Sequence, residues 1–237
     1  MPESRHWMDL AMSLTNSVID LRTAVLHGGR NPGHRRCPEQ IAPLLECATI
    51  EKIGLPELAP DCLLGIGRLI VFTSLESATG DQLQLLEAFG GTSGNVSIYL
   101  HEASLFERTN HRFRQFLGVR FERHDPIREF GVIAHRHPFT TDCPERFTIF
   151  DERYTYDTPF STSSNTRVFL TCADQGVPLG FERFVNKGWV IYMALGHNER
   201  ALSSAALRSI LLRIGRTQIP SDGSLQFPFD GTSDSGA

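Results

Sequence analysis

Five histidines, His34, His101, His124, His137 and His197, fall at or just beyond stretches that read as strands. Carboxylates stand among them as Glu102, Asp125 and the pair Asp151-Glu152, with Arg153 and Tyr154 following directly. Imidazole offers either a metal-binding nitrogen or a proton relay near neutral pH, and a carboxylate can complete a metal sphere or act as a base. No two of these residues keep a metal-specific spacing such as His-Glu-x-x-His, so the chemistry depends on separate elements being brought together. The sharpest single case is Gly188-Trp-Val-Ile-Tyr-Met-Ala-Leu-Gly-His197, a strand pattern that ends on glycine and histidine before a helix pattern from Asn198 to Gly215. A polar side chain delivered between a strand end and a helix start is where α/β proteins place ligands.

Each candidate also has a plainer reading. His27, His111 and His135 read as surface or strand-edge residues. Asp125-Pro126 suits a turn, and His137-Pro138 an extended dipeptide, because proline pushes its predecessor out of the helical region. Asn198 reads as a helix cap, and Asp151 as a turn residue.

The elements that must position these groups alternate along the chain. Trp7, Leu10, Leu14 and Val18 predict a helix over His6 to Ile19, and Arg22 to His27 a buried strand. Gly28-Gly29-Arg-Asn-Pro-Gly33-His34 is a loop leading to a helix near Pro38. Leu69 to Thr73 predicts a strand, and Thr79 a cap for a helix over Asp81 to Phe89 that Gly90, Gly91 and Gly94 end. Val96 to Leu100 predicts a strand ending at His101-Glu102, and Asn110 to Leu117 a helix. Further strands are expected over Ile127 to Ile133, Phe147 to Phe150, Arg167 to Thr171 and Val177 to Phe184, with a loop at Ser161 to Asn165. This alternation predicts an α/β fold, a doubly wound, mostly parallel sheet flanked by helices, with ligands at the carboxyl ends of its strands.

The turn after Val96 to Leu100 is where such folds carry an elbow nucleophile, and it holds His101 rather than Ser or Cys. No cysteine sits in a Gly-x-Cys-x-Gly setting, so a thiol glutaminase would lack its attacking group. Gly28, Gly29 and Gly33 match neither a dinucleotide fingerprint nor a phosphate loop, which argues against NAD and ATP.

Composition sets the outer bounds. A chain of 237 residues, 41% hydrophobic and 21% charged, has the balance of one compact domain. The net charge of -4 is spread without blocks of like sign, which disfavours nucleic acid and acidic membranes as partners. Five scattered cysteines without a Cys-x-x-Cys pair fit a reducing cytoplasm, and no apolar stretch suggests export or a membrane span. The expected organisation is an N-terminal helical extension over 1–21, an α/β domain over 22–216 and a tail over 217–237.

In order along the chain, several segments resemble the trehalose-utilization, or ThuA-like, family. They are Gly28-Gly29 with His34, Tyr99-Leu-His101-Glu-Ala103, Leu117-Gly118 with His124, His137-Pro138, Phe150-Asp151-Glu152-Arg-Tyr154, and Leu195-Gly-His197. The resemblance spans about Arg22 to Gly215. Trp189 departs from it, standing where a Gly-Lys-Gly-Arg-Val run is common, and Gly91-Thr-Ser-Gly94 replaces a denser glycine triplet. The resemblance implies a class I glutamine amidotransferase-like, flavodoxin-like fold and a link to disaccharide or keto-sugar metabolism. It also implies a divalent metal, zinc foremost, held among His34, His101, His124, Glu152 and His197. Glu152, His101, His197 and Tyr154 then become the expected catalytic groups, and His34, His137, Arg153 and Trp189 the expected sugar contacts. The enzyme would be a metal-dependent isomerase, lyase or hydrolase of a sugar-like substrate; apart from the resemblance, the Phe-rich strands make a homodimer a candidate assembly. A non-catalytic sugar- or partner-binding module, or an enzyme recruited to specialised metabolism, stands as the alternative.

Overall fold

A computed structural model describes residues 22–28, 41–45, 50–157 and 165–216. The expected helix over His6 to Ile19, His34 and most of its loop, the helix start near Pro38, the loop over 161–164 and the tail from 217 lie outside the described residues.

Among the described residues there are eleven strands: β1 Thr23–His27, β2 Ile50–Gly54, β3 Arg68–Val71, β4 Val96–Leu100, β5 Phe121–His124, β6 Arg128–Ala134, β7 Arg146–Asp151, β8 Tyr154–Tyr156, β9 Thr166–Cys172, β10 Pro178–Val185 and β11 Gly188–Met193. Among the same residues four α-helices accompany them: α1 Gly80–Gly90, α2 His111–Leu117, α3 Glu199–Leu202 and α4 Ala205–Gly215. Nine strands form one sheet in the order β2-β1-β3-β4-β11-β10-β9-β6-β7, and β5 pairs with β8 in a separate ribbon. From β2 to β11 every pairing is parallel, and from β11 to β7 every pairing is antiparallel. Only β10 and β6 therefore run against the rest, so β4, β11 and β7 all end on the same side of the sheet.

The two halves are built from different sequence patterns. β3, β4 and β11 are buried at every position, as central parallel strands covered on both faces must be. β6 alternates over its second half, with Phe130, Val132 and Ala134 buried and the residues between them partly open, the mark of a sheet with one wet face. Tyr99 packs edge-on against Phe113 and Phe116 of α2. On the opposite face Trp189 stacks on Phe139, whose short 3-10 turn Pro138–Thr140 packs against α4.

Local signals hold where side chains make their own caps. Thr79 and Gln82 form a reciprocal capping box at α1, and Asn110 caps α2 through the Phe113 N–H. One expectation fails: the helix from Asn198 to Gly215 is two helices. Ser203 turns its hydroxyl back to the Arg200 carbonyl and Ser204 adopts ψ 125, so this pair of serines breaks the run. Three strands were not expected: β2, which is short and largely exposed at the sheet edge, and the β5/β8 ribbon. Among the described residues Cys62, Cys143 and Cys172 are free thiols, and no helix is long and apolar enough to cross a membrane.

Candidate active site

His101 follows the last residue of β4 and takes φ 46, a left-handed conformation that a non-glycine residue adopts only under constraint. The constraint is visible: the Tyr192 hydroxyl donates to the His101 carbonyl at 3.2 Å and lies 2.9 Å from Ser104 Oγ. The Tyr192 phenol is fully enclosed, and burial raises its pKa well above the ordinary value, so it stays a protonated donor. His101 itself is completely buried.

Its tautomer follows from its partners. Nδ1 lies 2.9 Å from the Ala194 carbonyl, which only accepts, so Nδ1 carries the proton and Nε2 presents a lone pair. Three groups converge on that lone pair: His197 Nδ1 at 2.9 Å, the Tyr154 hydroxyl at 3.1 Å and Glu152 Oε2 at 3.6 Å. Glu152 Oε2 is also 3.3 Å from His197 Nδ1, and its other oxygen is 3.5 Å from His124 Nδ1. His124 stands at the exposed rim, with Nδ1 donating to the Asp125 carbonyl. Phe121 and Tyr154 pack ring to ring beneath it.

His197 arrives from the loop after β11. Gly196, at φ 108, makes the turn, and an added Cβ there would also press on Leu202 at 3.1 Å. Asn198 then caps α3 through the Ala201 N–H, fulfilling its plainer reading.

This donor set suits a divalent transition ion. Two imidazole nitrogens face each other at 2.9 Å, near the roughly 3.3 Å that bonds of about 2.0–2.1 Å to a tetrahedral ion require. The Nδ1–H of His101 is held by a backbone carbonyl, the outer contact that metal-bound histidines ordinarily make. Two buried carboxylates are within reach. Glu152 touches both imidazoles, and Glu102 offers an oxygen such that it, His101 and His197 lie within 4.8 Å of one another.

Of the expected site residues, His101, His124, Glu152, Tyr154 and His197 thus come together, and His34 is outside the described residues. The others lie elsewhere. His137 is buried, its Nε2 3.1 Å from the enclosed Glu182 carboxylate and its Nδ1 accepting the Phe139 N–H. Arg153 is engaged by Asp125 and Asp174; burial lowers its pKa, but hydrogen bonds to Cys172 and Asp125 outweigh this and raise it overall. Trp189 pairs with Val96 at the start of β4 and lies between Phe139 and Phe184, at the opposite end of the sheet from the histidines. Two residues were undervalued in the sequence. Glu102 adjoins His101 and could have been named as a ligand from that adjacency alone. Asp151, read as a turn residue, accepts backbone N–H groups of Glu152, Gly196 and His197.

Comparison with solved structures finds the same fold in ThuA-like proteins. One from Bacteroides uniformis has TM-score 0.67 at 14% identity, covering 82% of this chain and 89% of that one. Another, from Parabacteroides merdae, has TM-score 0.67 at 12% identity, covering 83% and 88%. A Thermoplasma acidophilum protein assigned to GMP synthase has TM-score 0.55 at 10% identity over 82% of this chain and 92% of that one, which places the fold in the glutamine amidotransferase-like group. Comparison with curated proteins gives no match. The ThuA family profile, described as trehalose utilisation, matches residues 65–214, a span that carries His101, His124, Glu152, Tyr154 and His197, and the chain belongs to that family.

Proposed function

We propose that the protein is a metal-dependent enzyme that moves a proton next to the carbonyl of an oxidised sugar, the step that opens both isomerisation and elimination. The observation that carries this reading is the convergence of His197, Glu152 and Tyr154 on the lone pair of His101 at 2.9 to 3.6 Å. The family's description, trehalose utilisation, supports a sugar as the substrate class.

His101, His197 and one carboxylate, Glu152 or Glu102, would hold a divalent ion, zinc foremost. When bound, such an ion supplies Lewis acidity to an oxygen of the substrate. The chain's own residues account for the proton. Glu152, a buried carboxylate, would take it from carbon, and the Tyr154 hydroxyl would donate toward the oxygen where negative charge develops. His124, at the rim, contacts the outer oxygen of Glu152 and can pass the proton to water.

Elemental analysis of the purified protein, with deuterium wash-in beside the carbonyl of a keto-disaccharide followed by NMR, tests this. One divalent ion per chain is expected, bound at least ten-fold more weakly after His197→Ala. Wash-in is expected in the parent protein and at least a hundred-fold slower after Glu152→Gln. Absence of both metal uptake and wash-in would overturn the proposal and leave a scaffold that only binds.

A further inference from the structure

β7 and β11 are separated in the sheet by β10, β9 and β6, four steps of about 4.8 Å or roughly 19 Å in a flat sheet. Yet Asp151, the last residue of β7, has Oδ2 only 2.6 Å from the Gly196 nitrogen beyond β11 and Oδ1 3.1 Å from the His197 nitrogen. The same carboxylate accepts the Glu152 N–H at 2.9 Å, and it is completely buried. The antiparallel arm therefore curls until its end meets the loop that carries His197.

We infer that Asp151 is the clasp of the site, a positioning residue that holds the arm bearing Glu152 and Tyr154 against the loop bearing His197. Its chemistry fits that task. An ionised carboxylate is acceptor-only and can serve N–H groups on both oxygens at once, and its hydrogen bonds are stronger than neutral ones. An asparagine would keep the shape but turn an amide N–H₂ toward a backbone N–H, leaving a buried donor without an acceptor. A side chain needed only for its own turn would bond its neighbour, Glu152; Asp151 also reaches 45 and 46 residues along the chain. Of the readouts that follow, cobalt affinity rests on the proposed metal centre, and the others stand without it.

The test compares the parent protein with Asp151→Asn by three measurements. In the metal-free parent, the amide protons of Gly196 and His197 are expected far downfield and slow to exchange. In Asp151→Asn both should move upfield and exchange at least a hundred-fold faster. The ring-nitrogen chemical shifts of His197, read by nitrogen-15 NMR at one fixed pH, should move while those of the distant, buried His137 stay where they are. Affinity for cobalt(II), read from its visible spectrum, should fall 10- to 100-fold, as when a group supporting a metal ligand is removed. A variant that merely melts earlier, with the His197 ring-nitrogen shifts and cobalt affinity unaltered, would overturn the clasp. If the parent takes up no cobalt, the metal proposal fails while the amide and imidazole readouts still decide the role of Asp151. If Asp151→Asn does not fold, fast-exchanging Gly196 and His197 amides in the parent would overturn the inference, and protected, downfield ones would support it.

Discussion

The parallel half of the sheet and its antiparallel arm contribute different chemistry by different means. The parallel half supplies the two imidazoles, His101 and His197, from the ends of adjacent strands that are buried throughout. The arm and its ribbon supply Glu152, Tyr154 and His124 from strands with a wet face and a register shift. Imidazoles on the rigid half are fixed by main-chain geometry: His101 by φ 46 and the Ala194 carbonyl, His197 by the Gly196 turn. The carboxylate and phenol on the arm depend on how that arm is docked. Metal affinity should therefore be governed by the imidazoles of the parallel half together with the Asp151 contact that steadies the His197 loop, and turnover by Glu152 and Tyr154 of the arm.

The strongest challenge to this division is His101→Ala. It removes the lone pair on which the other groups converge, and at least a hundred-fold loss of metal affinity by calorimetry is expected. Backbone strain gives this position a second signature. Glycine accepts φ 46 without the Cβ clash that costs other residues about 1–2 kcal/mol, so His101→Gly should be more stable than His101→Ala by about 1 kcal/mol in denaturant titrations while binding metal equally poorly. Equal stability of the two variants would show that the left-handed backbone is not under strain.

The same contrast explains what could be read from the sequence. Val96 to Leu100 is found with its expected bounds because a short, mostly apolar run rich in β-favouring residues, between a glycine-rich turn and a polar pair, has few other fates. Thr79 caps its helix as expected because capping is local, and Asn110, expected as the first residue of its helix, is instead the cap just before it. His101 and His197 were legible because both follow such apolar strands. The β5/β8 ribbon was not: Phe-Glu-Arg-His has no period to read, and its pairing with Tyr154–Tyr156 is settled by the tertiary fold. For the same reason Asp151 passed as a turn residue, since its reach to Gly196 depends on the curl of the whole arm. Arg153 and Trp189 carry functional residue types, but Arg153 is held by Asp125 and Asp174 and Trp189 sits between Phe139 and Phe184.

A narrower probe of the arm is Tyr154→Phe. The phenol is buried and its hydroxyl is 3.1 Å from His101 Nε2, so the change deletes one donor and leaves the ring packed on Phe121. Metal affinity is expected to stay within about three-fold of the parent, while deuterium wash-in slows by roughly 10²-fold, the scale of a lost general acid. A large loss of metal affinity with unchanged wash-in would reverse the division of labour between the two halves.

The smallest effect concerns what anchors the arm from below. Asp157, just beyond β8, meets Arg114 of α2 at 3.1 Å and Arg120 at 2.8 Å through one oxygen. Burial alone would raise its pKa, but the hydrogen bonds and charges of Arg120 and Arg114 outweigh that and hold it below the ordinary carboxylate value. A carboxyl group whose pKa is lowered by folding stabilises the native state above its unfolded pKa, and this contribution is lost as pH falls through the lower folded value. Asp157→Asn should therefore cost about 1–2 kcal/mol at pH 7, with the difference from the parent shrinking as pH falls below the ordinary carboxylate value. On the parallel half the Arg22–Glu51 pair has both side chains about half exposed, at 58% and 47%. Glu51→Gln should change stability by less than about 0.5 kcal/mol, because solvent screens such pairs. Equal costs at the two positions would mean that the arm is fastened no more firmly than a surface ion pair, and that its docking must rest on the Asp151 contact and the aromatic packing of Tyr154.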